Sequence, residues 1–287
     1  MWISVSFALL AIGGVLIFYP IESLSYFTYP FLMWGVIGLF DFLNQKRWGE
    51  SLIKNNPKKF WGNIVPLSII FWLFFEFGNL LYVQWEYLNV PSNKPTAVFL
   101  TILSFGTVIP FVVEVIWLLQ GPVKSFPVPL KKKMSSFYSL VLPFVGFLLL
   151  FLYILDPSFL MAQTIWIAPF LFLLPFMPLQ KASFIKAKRF TLYLIGGILL
   201  SGFVWEVLNF WAKTKWHYLI FPNALRVFEM PVIGYLGYIP FVFSLIAVYL
   251  FINRFFAPTR INIVIFYILA ILLSYFFVLL YFRSFHV

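Results

Sequence analysis

Apolar residues along this 287-residue chain come in long runs, and the polar residues gather in the short gaps between them. A run of about 20 apolar residues, rising about 1.5 Å each, crosses a hydrocarbon core roughly 30 Å thick. The runs predict about nine transmembrane helices, near residues 2 to 19, 26 to 44, 61 to 85, 96 to 120, 136 to 154, 159 to 179, 190 to 211, 229 to 252 and 261 to 282. The expected fold class is therefore an all-α integral membrane protein.

Composition agrees: with 63% hydrophobic and 10% charged residues and a mean hydropathy of +0.97, there is too little polar surface to cover a soluble globule. A net charge of +11 suggests nucleic acid until the basic residues are placed on the runs. Fifteen of the twenty fall in linkers after the second, fourth, sixth and eighth runs: Lys46, Arg47, Lys54, Lys58 and Lys59; Lys124, Lys131, Lys132 and Lys133; Lys181, Lys186, Lys188 and Arg189; Arg254 and Arg260. The opposite linkers and the tail hold Lys94, Lys213, Lys215, Arg226 and Arg283. By the positive-inside rule the amino terminus is cytoplasmic and the carboxyl terminus outside, in a membrane of the bacterial inner-membrane type, with no nucleic-acid partner. Cysteine is absent, which removes disulfides, thiol nucleophiles and cysteine metal sites. The first run opens Met1-Trp2-Ile3 without a basic n-region and reads as a retained helix.

The chain says one thing twice. Phe71 to Pro91, FWLFFEFGNLLYVQWEYLNVP, is answered by Phe203 to Pro222, FVWEVLNFWAKTKWHYLIFP. Glu76 and Asn79 recur as Glu206 and Asn209, and Trp85, Tyr87 and Pro91 recur as Trp216, Tyr218 and Pro222. Further on, SFGTVIPFVVE (Gly106, Pro110, Glu114) is matched by YLGYIPFVFSL (Gly237, Pro240, Ser244), and Pro30 pairs with Pro169. The expected organisation is one extra amino-terminal helix (1–25) followed by two four-helix repeats, 26–155 and 156–287. An even number of helices returns the chain to its starting side, so the repeats are parallel, with a pseudo-two-fold axis along the membrane normal.

An acid and an amide three positions apart share a helix face. Inside an apolar run such an acid marks a functional site, and low-dielectric surroundings favour its neutral form. A neutral acid is a proton donor that the adjacent Asn can orient, so Glu76, Glu206, Asn79 and Asn209 are the catalytic candidates. The same pairs also suit interhelical hydrogen bonds or an ion or proton pathway. Glu76 sits roughly 13 Å below Trp85 along a continuous helix. That puts Trp85, Tyr87, Trp216 and Tyr218 at aromatic-belt height, where they are also substrate-binding candidates. Glu229 opens the eighth helix, where an acid meets a helix amino terminus, on the same side as Glu206, and joins the binding set. Glu114 and Asp41 are expected to reach toward the basic loops, and Asn44, Asn63 and Gln163 to serve packing.

His217 and His286 are the only histidines and share no metal-ligand spacing with the acids. There is no Walker loop, dinucleotide fingerprint or D-x-x-x-D run, so no metal and no cofactor are expected. Aromatic residues make up 23% of the chain, and aromatic faces stabilise cations, carbocations included, besides filling space.

The order of an acid near a helix end, Trp-x-Tyr, a loop and a proline at the next helix start resembles the membrane-embedded lycopene cyclase domain, which is often duplicated. In the second copy the string is Glu206, Trp216, Tyr218, then Phe228-Glu229-Met230-Pro231. That family carries Pro-x-Glu-Glu acids at this helix start, whereas Val232, Ile233 and Gly234 follow Pro231 here. The resemblance implies an isoprenoid-handling fold. Three readings follow: an intramembrane Glu/Asn site acting on a lipid or isoprenoid by acid catalysis, a non-enzymatic subunit with a protein partner, and a small-solute or proton-linked transporter.

Overall fold

Short polar side chains set where several apolar runs begin. Asn56 accepts from the backbone of Lys59 ahead of Pro57, Asn93 accepts from Thr96 ahead of Pro95, and Ser183 accepts from Lys186. In the computed structural model, which describes residues 2–129 and 135–285, the helical segments are α1 (Trp2–Phe18), α2 (Ser25–Trp48), α3 (Pro57–Leu81), α4 (Lys94–Gln120), α5 (Ser136–Leu155), α6 (Phe159–Trp166 and Ala168–Phe176), α7 (Phe184–Trp211), α8 (Val232–Phe255) and α9 (Arg260–Phe285). The basic residues Lys131, Lys132 and Lys133, and His286, lie outside the described residues.

Seven of these segments, α2 to α5 and α7 to α9, are long and apolar enough to cross a membrane. The α6 pair bends by 41° and makes an eighth if it is one span, while α1 is shorter, at 17 residues. Pro169, just past the bend, lacks the donor a continuous helix would need. The chain is thus a helical integral membrane protein. Several helix ends differ from expectation, the end of α2 and both ends of α3 by four residues and the start of α7 by six. α7 starts six residues early because Ser183 caps it, taking Lys186, Lys188 and Arg189 into its first turns. α3 stops at Leu81, four residues before Trp85.

Small residues bring the helices close, as they do where lipid removes the hydrophobic driving force. A Cβ on Gly13 of α1 would lie 2.7 Å from Leu32 of α2. Likewise a Cβ on Gly146 of α5 would lie 2.8 Å from the Ala168 carbonyl of α6. α2 packs on α4, and α6 packs on α8; α3 and α7 contact α4 and α8 respectively. α7 also lies along the second half of α4, where Gly197 meets Ile116. α9 packs on α3 and the first half of α4.

The linkers at the end of α3 remote from Lys58 and Lys59 form short strands. These are β1 (Trp85–Leu88), β4 (Lys215–Tyr218) and the hairpin β5 (Arg226–Val227) with β6 (Met230–Pro231). At the other end β2 (Phe126–Val128) pairs in parallel with β3 (Leu179–Lys181). β1 and β4 run antiparallel, with Trp85 opposite Tyr218, Glu86 opposite His217, Tyr87 opposite Trp216 and Leu88 opposite Lys215. The pairing is self-complementary: Trp-x-Tyr on one strand meets Trp-x-Tyr on the other, read from opposite ends, as an isologous contact requires. The aromatic residues favour strand over helix here.

This register has a direct check, because opposed residues on antiparallel strands lie about 4.5–5.5 Å apart at Cα, within reach of a disulfide. In this cysteine-free chain, Glu86→Cys with His217→Cys should form a disulfide under mild oxidation, found by peptide mass spectrometry. Absence of the linked peptide would contradict the register.

Candidate functional site

The site is built from the end of α3 upward. Two residues before that end, Asn79 donates from Nδ2 to the Trp85 carbonyl (2.8 Å), and its Oδ1 accepts from the backbone N–H groups of Gln84 (2.7 Å) and Trp85 (3.2 Å). Asn209 does the same at the end of α7, donating to the Trp216 carbonyl and accepting from its N–H, both at 2.9 Å. Each amide acts as a strand partner for a tryptophan backbone and folds β1 or β4 back onto its own helix. The Asn side chains therefore position the strands, whereas sequence reading had them orienting the acids.

The fold-back puts Trp85 against Glu76. Its indole Nε1 is 3.2 Å from the carboxyl Oε1, and the ring is buried at 5% exposure, so the 13 Å separation along a continuous helix is not realised. Glu76 Oε1 also accepts from Trp72 Nε1 (2.7 Å) and from the Tyr87 hydroxyl. Glu206 Oε1 accepts from Trp216 Nε1 (3.2 Å), the Tyr218 hydroxyl (2.9 Å) and the Tyr238 hydroxyl (3.1 Å). In both sites all three donors converge on Oε1, and Oε2 is buried without a partner. Both carboxyl groups are fully buried. Burial first, and then the neighbouring glutamate, push the Tyr87 and Tyr218 hydroxyls well above their ordinary pKa, so both remain donors.

The third donor differs by a reciprocal exchange. Trp72 aligns with Gly202, and Tyr238 aligns with Thr107. In the second copy the tyrosine ring occupies the space a side chain at Gly202 would need. One large aromatic donor per site is kept, supplied by the site's own helix in one and by α8 in the other. The outer strand edges differ too. Tyr281 of α9 accepts from the Tyr87 N–H (2.6 Å) and donates to its carbonyl (3.0 Å), whereas Arg226 of the β5–β6 hairpin donates to the Tyr218 carbonyl (3.1 Å).

A single cavity of about 430 Å³ joins the two sites. Its wall includes Trp72, Trp85, Tyr87, Trp216, Tyr218 and Tyr238; the glutamates stand just behind these rings. Gln84 and Gln163, hydrogen-bonded at 2.9 Å, add an amide pair to a largely apolar lining. Such a chamber, apolar with a few convergent polar groups, has the character of a small-molecule site. Among the described residues no three His, Asp or Glu side chains gather in a metal-binding group.

Other acids sit elsewhere than expected. Glu229 lies in the β5–β6 turn, ahead of the helix start at Val232, and pairs with Lys215 and His217 (Nδ1 at 3.0 Å) rather than capping α8. Partial burial pushes its carboxyl up, but those two partners outweigh it and hold it below the usual value. Glu114 does not reach out to the basic loops, whereas Asp41 does, bonding Ser51 and Ile53 in the Lys54-bearing loop after α2. Glu114 Oε2 accepts from Asn44 (2.6 Å), and Asp41 accepts from Ser51 and the Ile53 N–H, all of it buried between α2, α4 and the loop after α2. Asn63 donates to the Phe256 carbonyl at 2.8 Å, a packing role.

Sequence reading missed Trp72, Tyr238, Tyr281 and Arg226. The first two were discoverable as the compensating pair of mismatches, Trp/Gly and Thr/Tyr, in otherwise matched segments. The fold and the site define a class, helical membrane proteins with buried carboxyls around an apolar chamber. No known family, curated protein or solved structure matches this chain.

Asn79→Ala leaves two N–H groups and a carbonyl without their partner, and a buried unsatisfied group costs about 1–3 kcal/mol. Asn79→Ala and Asn209→Ala should each lower the thermal midpoint in detergent by several degrees, whereas the exposed-side Asn262→Ala should leave it nearly unchanged. Equal midpoints for all three would contradict the strut role.

Proposed function

We propose that this protein holds an unsaturated apolar lipid of the isoprenoid class in the shared chamber and protonates it from Glu206 or Glu76. The observation that carries the reading is the doubled clamp, three donors on one carboxyl oxygen with the other oxygen free and buried, around one aromatic-walled cavity. Once the rings that screen the glutamate from the chamber move aside, Oε2, carrying the proton, gives it to an alkene carbon. The charge left on the carboxylate is then met by the three donors already aimed at Oε1, preorganised as in an oxyanion hole. The cation formed on the substrate is stabilised by the tryptophan and tyrosine faces. Loss of a neighbouring proton back to the carboxylate completes an isomerisation or cyclisation with no net consumption of acid. The resemblance to the lycopene cyclase domain points to a polyene, with Glu206 doing the work of the acids absent after Pro231.

The reading includes a duplicated architecture with its repeats parallel, a cytoplasmic amino terminus and the site in the outer half of the membrane. Packing supports dividing the copies differently from 26–155 and 156–287. α1 lies on α2 as α5 lies on α6, both through glycine contacts, so α1 to α4 correspond to α5 to α8, and α9 is the added helix. The self-complementary β1–β4 register supports the same two-fold relation.

A second reading, a subunit of a membrane complex, is favoured by α5, whose apolar surface is largely uncovered. Lipid extracts from cells with the gene, without it, and with Glu76→Gln or Glu206→Gln separate the two. A product isomer that disappears with the gene and with at least one Gln variant supports acid catalysis. An unchanged profile in an isoprenoid-complete host, together with stoichiometric co-purification of another protein, supports the subunit.

A further inference from the structure

The two halves of the chamber are not equally open. In the first, α9 lies across α3 and the first half of α4, and its Phe277, Val278, Tyr281 and Phe282 form part of the chamber wall. Among the described residues no helix covers α7 and the 3-10 turn Val232–Gly237 in that way. By the alignment of the repeats, Leu236 of that turn stands where Phe105 stands in α4. Phe105 is 6% exposed, with its ring 6.1 Å from that of Phe277, whereas Leu236 is 61% exposed. Ile233, one turn earlier, is 52% exposed. Among the described wall residues, Ile233 and Leu236 are the exposed ones, and both belong to a membrane-spanning segment. They therefore line the chamber on one side and the protein's outer surface on the other.

We propose that the 3-10 turn Val232–Gly237 is a lateral doorway through which a hydrocarbon chain passes from the bilayer into the chamber, arriving at Glu206, while α9 closes the corresponding route to Glu76. The inference deepens the function proposed above by giving the two carboxyls different access. Local structure favours a doorway here. A 3-10 turn has weaker hydrogen-bond geometry than the α-helix that fills the equivalent stretch of α4. Gly237 follows Leu236 with open space where a side chain would be, so the turn is least filled beside Leu236. The occupant is an alkyl or polyprenyl chain rather than a water-soluble ligand, because the rim is apolar and faces lipid.

The test uses the full-length protein in vesicles of phosphatidylcholine bearing an alkyl diazirine in its acyl chain. On illumination the diazirine loses N2 and the carbon left behind inserts into a carboxyl O–H, so mass spectrometry reports which glutamate the chain reaches. Labelling should favour Glu206 over Glu76 by about an order of magnitude. It should fall severalfold in Leu236→Trp, rise in Leu236→Ala, and stay unchanged in Ile265→Trp, on the lipid-facing side of α9. The alanine variant keeps the test decisive if the tryptophan variant misfolds. Equal labelling of the two glutamates, labelling insensitive to both Leu236 variants, or labelling absent in native membranes and gained only after purification, as when a partner helix covers the turn, would each overturn the doorway. Because the readout needs no turnover, it stands or falls separately from the lipid-extract experiment.

Discussion

The structure turns on the hydrogen bonds between an asparagine side chain and the backbone of a tryptophan, made once at the end of α3 and once at the end of α7. A buried carboxyl in an apolar bundle is costly unless polar groups meet it. The helix bearing the acid cannot supply three donors, so two of them come from a strand that doubles back and the third from Trp72 or Tyr238 on a helix. Without the asparagine strut, Trp85 and Tyr87, or Trp216 and Tyr218, would lie beyond the helix end and Glu76 or Glu206 would be stranded. The strut, the strand and the carboxyl are one unit.

Pairing the two units through β1 and β4 has a further consequence. The strands meet in an antiparallel, self-complementary ladder, so the two sets of rings face one cavity rather than two. Each strand's outer edge still needs closing, and the two copies close it differently, with Tyr281 from α9 in one and Arg226 from the hairpin in the other. The two sites thus differ at their periphery, while the carboxyl and its Trp-x-Tyr donors share one geometry. The Trp72/Gly202 and Thr107/Tyr238 exchange shows how close the volume balance is: a ring gained on one helix is matched by a side chain lost on its neighbour.

Much of this was legible before any coordinates. Apolar run length marks helices because lipid offers no partner for a bare backbone, so α2 to α5, α8 and α9 could be placed to within about four residues and α7 to within about six. The repeated Glu, Asn, Trp and Tyr stood out because they are polar or amphipathic inside apolar text. Their joint roles did not, since run length carries no information on a chain that folds back onto its own helix, so a helix running on to Trp85 and an asparagine facing the acid are what the pattern alone suggests. α1 and α5 share almost no sequence identity, so the likeness of the glycine contacts each makes with the helix that follows was not legible either. Glu229 misled because Pro231 marks a helix start, while the two-residue strands before it are too short to leave a periodic signal.

The central claim is that two sets of donors, drawn together by one strand pair, enclose a single chamber that holds an apolar molecule. A high-resolution density map of the protein extracted from its native membranes into lipid nanodiscs tests it most directly. Elongated non-protein density running between the Trp85 and Trp216 rings and ending beside Glu206 is the expected result. A chamber closed by the contact of Trp72 with Tyr238, or filled by discrete waters alone, would contradict the account.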